Sequence, residues 1–107
     1  MRAWLIAIAV GGCATASAPP PATPAFQLVP AAAGLDVAGS GGREIGFGRD
    51  QLGVLRTVAR IEGRAPEEVP CAAPGRVAYG TKAVMLVFER GAFVGWATDA
   101  ARAGATC

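Results

Sequence analysis

Between Ala83 and Thr98 the chain is apolar on both sides of any strand it can form. Ala83-Val84-Met85-Leu86-Val87-Phe88 leads into Glu89-Arg90-Gly91-Ala92, and Phe93-Val94-Gly95-Trp96-Ala97-Thr98 follows. Arg90-Gly91 suits a tight hairpin turn, because glycine supplies positive φ at the second central position. Side chains alternate along a strand, so the two runs sort into two faces. The spacing predicts Phe88 opposite Phe93, Val87 opposite Val94, Leu86 opposite Gly95 and Met85 opposite Trp96. Val84, Leu86, Phe88 and Phe93 then line one face, and Met85, Val87, Val94 and Trp96 the other. One helix covers only one side of such a hairpin. The second side is closed either by the chain's own loop and tail or by something outside the chain. The latter makes Met85, Val87, Val94 and Trp96 a candidate binding face.

Upstream, Asp50 is a natural N-cap and Gly63 a stop signal, which bracket a helix running to about Glu62. Leu52, Val54, Leu55, Val58, Ala59 and Ile61 are expected on its buried half. Arg49, Arg56 and Arg60 are expected on the other half, as a solvated face or as contacts to anionic lipid headgroups. Leu35–Ala38 and Arg43–Gly48 read as two short strands around the turn Gly39-Ser40-Gly41-Gly42. Arg64–Gly75 holds three prolines and reads as loop, and Arg76–Tyr79 reads as a strand. The fold expected is α+β in a small single domain: an N-terminal β-hairpin, one amphipathic α-helix and an antiparallel three-strand β-meander.

The N-terminus carries a different signal. Arg2 precedes an apolar run from Ala3 to Val10, and Gly11-Gly12-Cys13 follows. A charged start, a short apolar stretch and small residues are the layout of a secretory signal. The run is about half the ~20 residues a spanning helix needs. Val10-Gly11-Gly12-Cys13 resembles the lipobox of bacterial lipoproteins, a likeness confined to the N-terminus. It implies that Cys13 is lipidated and becomes the first residue of the mature chain, anchored to a membrane. Ala14 after that cysteine implies the outer membrane, with the domain facing the periplasm. Ordinary cleavage after Ala16-Ser17-Ala18, or after Ala14-Thr15-Ala16, is the competing outcome and leaves a periplasmic or secreted protein. The expected division is an export region at 1–18, a Pro/Ala-rich tether at 19–30 and the domain at 31–107.

If Cys13 is acylated, Cys71 and Cys107 are the two cysteines left, and an oxidising compartment favours their pairing. A loop of about 36 residues closed this way is worth roughly 4 kcal/mol in the chain-entropy description. Net charge is +2, from ten basic and eight acidic residues, too little to imply nucleic-acid binding. The chain has no histidine, hence no serine–histidine or cysteine–histidine pair. Gly39-Ser40-Gly41-Gly42-Arg43 lacks the lysine and hydroxyl of a phosphate-binding loop. No catalytic residue, metal site or cofactor is expected.

The function expected is a non-enzymatic exported envelope lipoprotein, a small binding or accessory module. Its partners would be the membrane, through the lipid anchor, and another envelope protein. The alternatives are a soluble secreted binding or inhibitor domain and a small enzyme working through carboxylates.

Overall fold

The computed structural model describes residues 26–107. The expected signal, Cys13 and the tether up to residue 25 lie outside the described residues. The described chain holds one helix and eight strands in two antiparallel sheets. This corrects the expected hairpin and three-strand meander. The first sheet has three strands, β1 (Gln27–Ala31), β2 (Gly34–Ala38) and β3 (Glu44–Gly46), in that order. Helix α1 (Gln51–Glu62) follows. The second sheet is a five-strand meander: β4 (Glu67–Val69), β5 (Arg76–Gly80), β6 (Met85–Glu89), β7 (Ala92–Ala97) and β8 (Arg102–Gly104).

Each additional strand has a physical reason. β1 includes Pro30, but it is an edge strand, where a missing N–H is tolerated. It therefore starts at Gln27, inside the stretch assigned to the tether. β2 turns back after Ala32-Ala33, and Gly34 sits at φ 147°, where a Cβ would collide with the Ile45 carbonyl oxygen. β4 and β8 are the two edges of the meander, each three residues long. Short edge strands present little unpaired backbone to other chains.

The helix follows its local chemistry. Asp50 accepts a 2.9 Å hydrogen bond from the Gly53 N–H, and Gly63 takes the left-handed conformation that ends the helix. The residues just before it join the sheets. The Gly48 N–H donates to the Phe93 carbonyl, the Phe93 N–H to that of Arg49, and the Gln51 N–H to that of Gly91. Segment 48–51 thus lines the start of the edge of β7, whose remainder pairs with β8.

The core lies between the sheets and α1. Leu28, Leu35, Val37 and Ile45 come from the first sheet, and Val54 and Val58 from the helix. Leu86, Phe88, Phe93 and Trp96 come from the second sheet, with Val84 just before β6. Phe47 meets Phe93 edge-on at 5.1 Å between ring centroids, Phe93 stands 5.7 Å from Phe88, and Phe88 meets Tyr79 edge-on at 5.7 Å. Such arrangements add to the area these rings bury. The Trp96 Nε1–H donates a 2.7 Å hydrogen bond to the Ala31 carbonyl and so ties β7 to the end of β1.

The hairpin β6–β7 departs from the register its sequence suggests. Arg90 and Gly91 both have positive φ, at 53° and 76°, which makes a primed turn. Phe88 faces Phe93 as expected. A bulge then intervenes, so that Val87 pairs with Gly95, Leu86 with Trp96 and Met85 with Ala97. The extra residue, Val94, shifts everything beyond it by one position. Trp96 therefore joins Leu86 on the core side and leaves the face it was expected to share with Met85 and Val87.

Candidate functional site

The expected binding face is mostly closed. Val87 is fully buried and Trp96 is 5 % exposed, while Met85 and Val94 are half-buried. The cover on the outer side of the second sheet comes from the chain's own C-terminus. Gly95 lies directly under the backbone of Ala105, where a Cβ would overlap the Ala105 carbonyl group. The Ala105 N–H donates to the Val94 carbonyl. Cys71 and Cys107 form a disulfide with Cα atoms 5.2 Å apart, which fixes the tail to the loop between β4 and β5.

A side-chain relay holds the same tail. Arg76 and Glu89 are cross-strand neighbours on β5 and β6, and the Arg76 Nε donates to the Glu89 Oε1 at 2.8 Å. The Arg76 Nη1 donates at 2.7 Å to the Thr106 carbonyl. The Arg76 hydrogen bond holds the Glu89 carboxyl below the usual carboxylate range. Desolvation opposes this, and the charges of Arg76 and Arg90 assist it.

The outer face of α1 is open to solvent. Arg49, Arg56 and Arg60 are all exposed, as the sequence indicates. Leu52 is 55 % exposed, contrary to its expected place in the core. The reason is angular. Val54 and Val58 are the buried positions, and at about 100° per residue Leu52 stands roughly 140° from their midpoint. Leu52, Arg56 and Arg60 follow one another at i, i+4 spacing and form one ridge, with Arg49 three residues before Leu52. The Arg49 Nη2 reaches the Glu44 carbonyl at 3.3 Å. Arg64 pairs with Glu67 and Arg76 with Glu89; among the described residues neither Arg49, Arg56 nor Arg60 has a carboxylate partner.

Two shallow depressions flank the helix. One, of about 140 Å³, lies at its N-terminal end against Ile45, Arg49, Asp50 and Thr57. The other, of about 300 Å³, lies at its C-terminal end against Phe26, Leu28, Ile61, Glu62 and Lys82. Among the described residues no three His, Cys, Asp or Glu side chains converge to hold a metal ion, and no helix is long and apolar enough to cross a membrane. Asp36 and Glu44 are exposed cross-strand neighbours on β2 and β3. Sequence periodicity carried the arginines of the site. It missed Leu52 as a surface residue, although its wheel angle relative to Val54 was readable. The chain matches no protein-family model, no curated protein and no solved structure.

Proposed function

We propose that the protein is an exported, non-enzymatic domain held at the cell envelope through Cys13, serving as a small accessory or binding module. The observation that supports it most is the Cys71–Cys107 disulfide. Disulfides of this structural kind persist in oxidising compartments, which an exported chain reaches. The bond takes up two of the three cysteines, and the third stands at the end of the signal-like run. Acylation of Cys13 would anchor the domain without spanning the bilayer. The test is metabolic labelling with a fatty-acid probe in wild type and Cys13→Ser. Label in the wild type alone is the expected result, and equal label in both ends the anchored reading.

A second reading is favoured by one feature, the Ala16-Ser17-Ala18 cleavage pattern. It makes the protein a soluble exported binding domain. The intact mass of the mature chain separates the two: an unmodified chain starting at Ser17 or Pro19 supports the soluble form.

A further inference from the structure

We propose that the outer face of α1, formed by Leu52, Arg56 and Arg60, with the exposed Arg49 just before the helix, docks the domain on an anionic phospholipid surface. The membrane comes from the anchored reading above, on which this proposal builds, but the contact rests on separate observations. The first is charge without internal use. Arg56 and Arg60 are like charges one turn apart, an arrangement that opposes helix formation, and no carboxylate among the described residues offsets it. The acidic side chains at the two ends of the helix are engaged elsewhere. Asp50 caps the helix, and the Glu62 Oε1 accepts from the Lys82 N–H at 3.0 Å. The positive face therefore faces outward unneutralised.

The second observation is the leucine. Leu52 is more than half exposed on the same ridge as Arg56 and Arg60, so an apolar side chain stands among guanidinium groups. Arginines that reach phosphate oxygens beside a side chain that enters the acyl boundary are the chemistry of a peripheral lipid contact. An acidic protein with an apolar patch is the rival occupant, and the vesicle assay separates the two.

The third is where the chain enters the domain. Phe26 and Gln27 share the depression at the C-terminal end of α1 with Ile61 and Glu62, and Phe26 is 42 % exposed there. A chain anchored at Cys13 thus reaches the domain at the Arg60 end of the helix. Twelve residues separate Cys13 from Phe26, a span of at most about 45 Å. An anchor attached there keeps this end of α1 within reach of the headgroups.

The test uses the full chain with Cys13→Ser, oxidised, so that acylation plays no part. Co-sedimentation is measured with vesicles of phosphatidylcholine and of phosphatidylcholine mixed with phosphatidylglycerol. The comparison is a variant that also carries Arg49→Gln, Arg56→Gln and Arg60→Gln. Both proteins keep the same apolar N-terminus, whose own binding is read on the neutral vesicles. At low ionic strength phosphatidylglycerol should raise binding of the arginine form about tenfold or more, and added salt should erase the gain. The triple variant should lose most of that gain while keeping the same helical circular dichroism. Leu52→Ser should lower anionic-vesicle binding about threefold. An equal gain with and without the arginines overturns the proposal and leaves the face to an acidic protein or to solvent. If fatty-acid labelling fails while this binding holds, the docking stands and the acyl anchor does not; if labelling holds and this binding fails, the reverse is true.

Discussion

The two sheets solve the same problem differently. The first sheet alternates. Leu35 and Val37 face the core while Asp36 and Ala38 face out, and its outer side needs no lid. The second sheet is apolar on both sides. Its inner side packs Leu86, Phe88, Phe93 and Trp96, and its outer side buries Ala78 and Val87 completely. That outer side is closed by the tail, held by a disulfide, the Arg76 relay and the fit of Ala105 over Gly95. A strand with polar residues on one face can end a fold at solvent. A strand with two apolar faces has to recruit another layer, and here the last residues of the chain supply it.

The comparison breaks most completely at the residue serving both sheets. Phe93 touches Phe47 just beyond β3 and Phe88 on β6, and it is fully buried. Phe93→Ala should destabilise the domain by about 3–5 kcal/mol, a large share of what a small domain has. Chemical denaturation should show one transition at a much lower midpoint. Two separated transitions would mean that the sheets fold independently, contrary to their shared core.

Removing the staple should act on one sheet. Cys71→Ser with Cys107→Ser is expected to lower stability by about 2–4 kcal/mol. Amide exchange should locate the change. The Ala105 N–H, bonded to the Val94 carbonyl, should lose protection first, while the Val37 N–H, bonded to the Arg43 carbonyl, should follow only the global drop. Selective loss of protection in β1–β3 would instead make the tail a clamp for the whole domain.

The same contrast explains what could be read from the sequence. Helix α1 was legible because Asp50 and Gly63 mark its ends chemically, and the turn at Arg90-Gly91 because few residues accept its conformation. β1 was not, since Pro30 and the surrounding alanines look like a continuation of the tether; its strand identity comes from pairing with β2. β4 and β8 have three residues each, too few for alternation to show, and they exist because β5 and β7 offer edges to them. The bulge at Val94 was invisible because the residue pattern of Phe93–Trp96 fits either register, and only packing of Trp96 against the core and the Ala31 carbonyl decides. For the candidate site, the three arginines were plain. Leu52 reads as core by its hydrophobicity, whereas its angle to Val54 places it on the surface. The pairing of Cys71 with Cys107 followed from cysteine number, but its role as the lock on a covering tail depended on Gly95 lying under Ala105.

A smaller effect tests the side-chain hydrogen bond from Trp96 that joins the sheets. Trp96→Phe retains most of the apolar bulk but removes the donor to the Ala31 carbonyl. A loss of about 1–2 kcal/mol is expected, because that carbonyl is left without its partner beside the core. The readout is the denaturation midpoint together with exchange near the Ala32-Ala33 turn. An unchanged midpoint would mean that the indole hydrogen bond adds nothing to the apolar contacts and the backbone bonds of segment 48–51 that unite the sheets.

The finest distinction concerns acid. Arg76 holds the Glu89 carboxyl below its ordinary range in the folded chain, whereas the unfolded chain leaves that carboxyl at its ordinary value. A carboxyl with a depressed folded pKa contributes stability that is fully present above the unfolded value. That contribution is lost as pH falls through the folded one. Wild type should therefore lose stability more steeply than Glu89→Gln as pH drops from neutrality into and below the carboxylate range. The Arg76 bond to the Thr106 carbonyl does not depend on Glu89 ionisation directly, but protonation removes the charge that orients the guanidinium. Exchange at the Ala105 N–H should rise with acid in the wild type ahead of exchange in β1–β3. Parallel pH profiles for wild type and Glu89→Gln would show that the Arg76–Glu89 ion pair adds nothing to the cover of the second sheet.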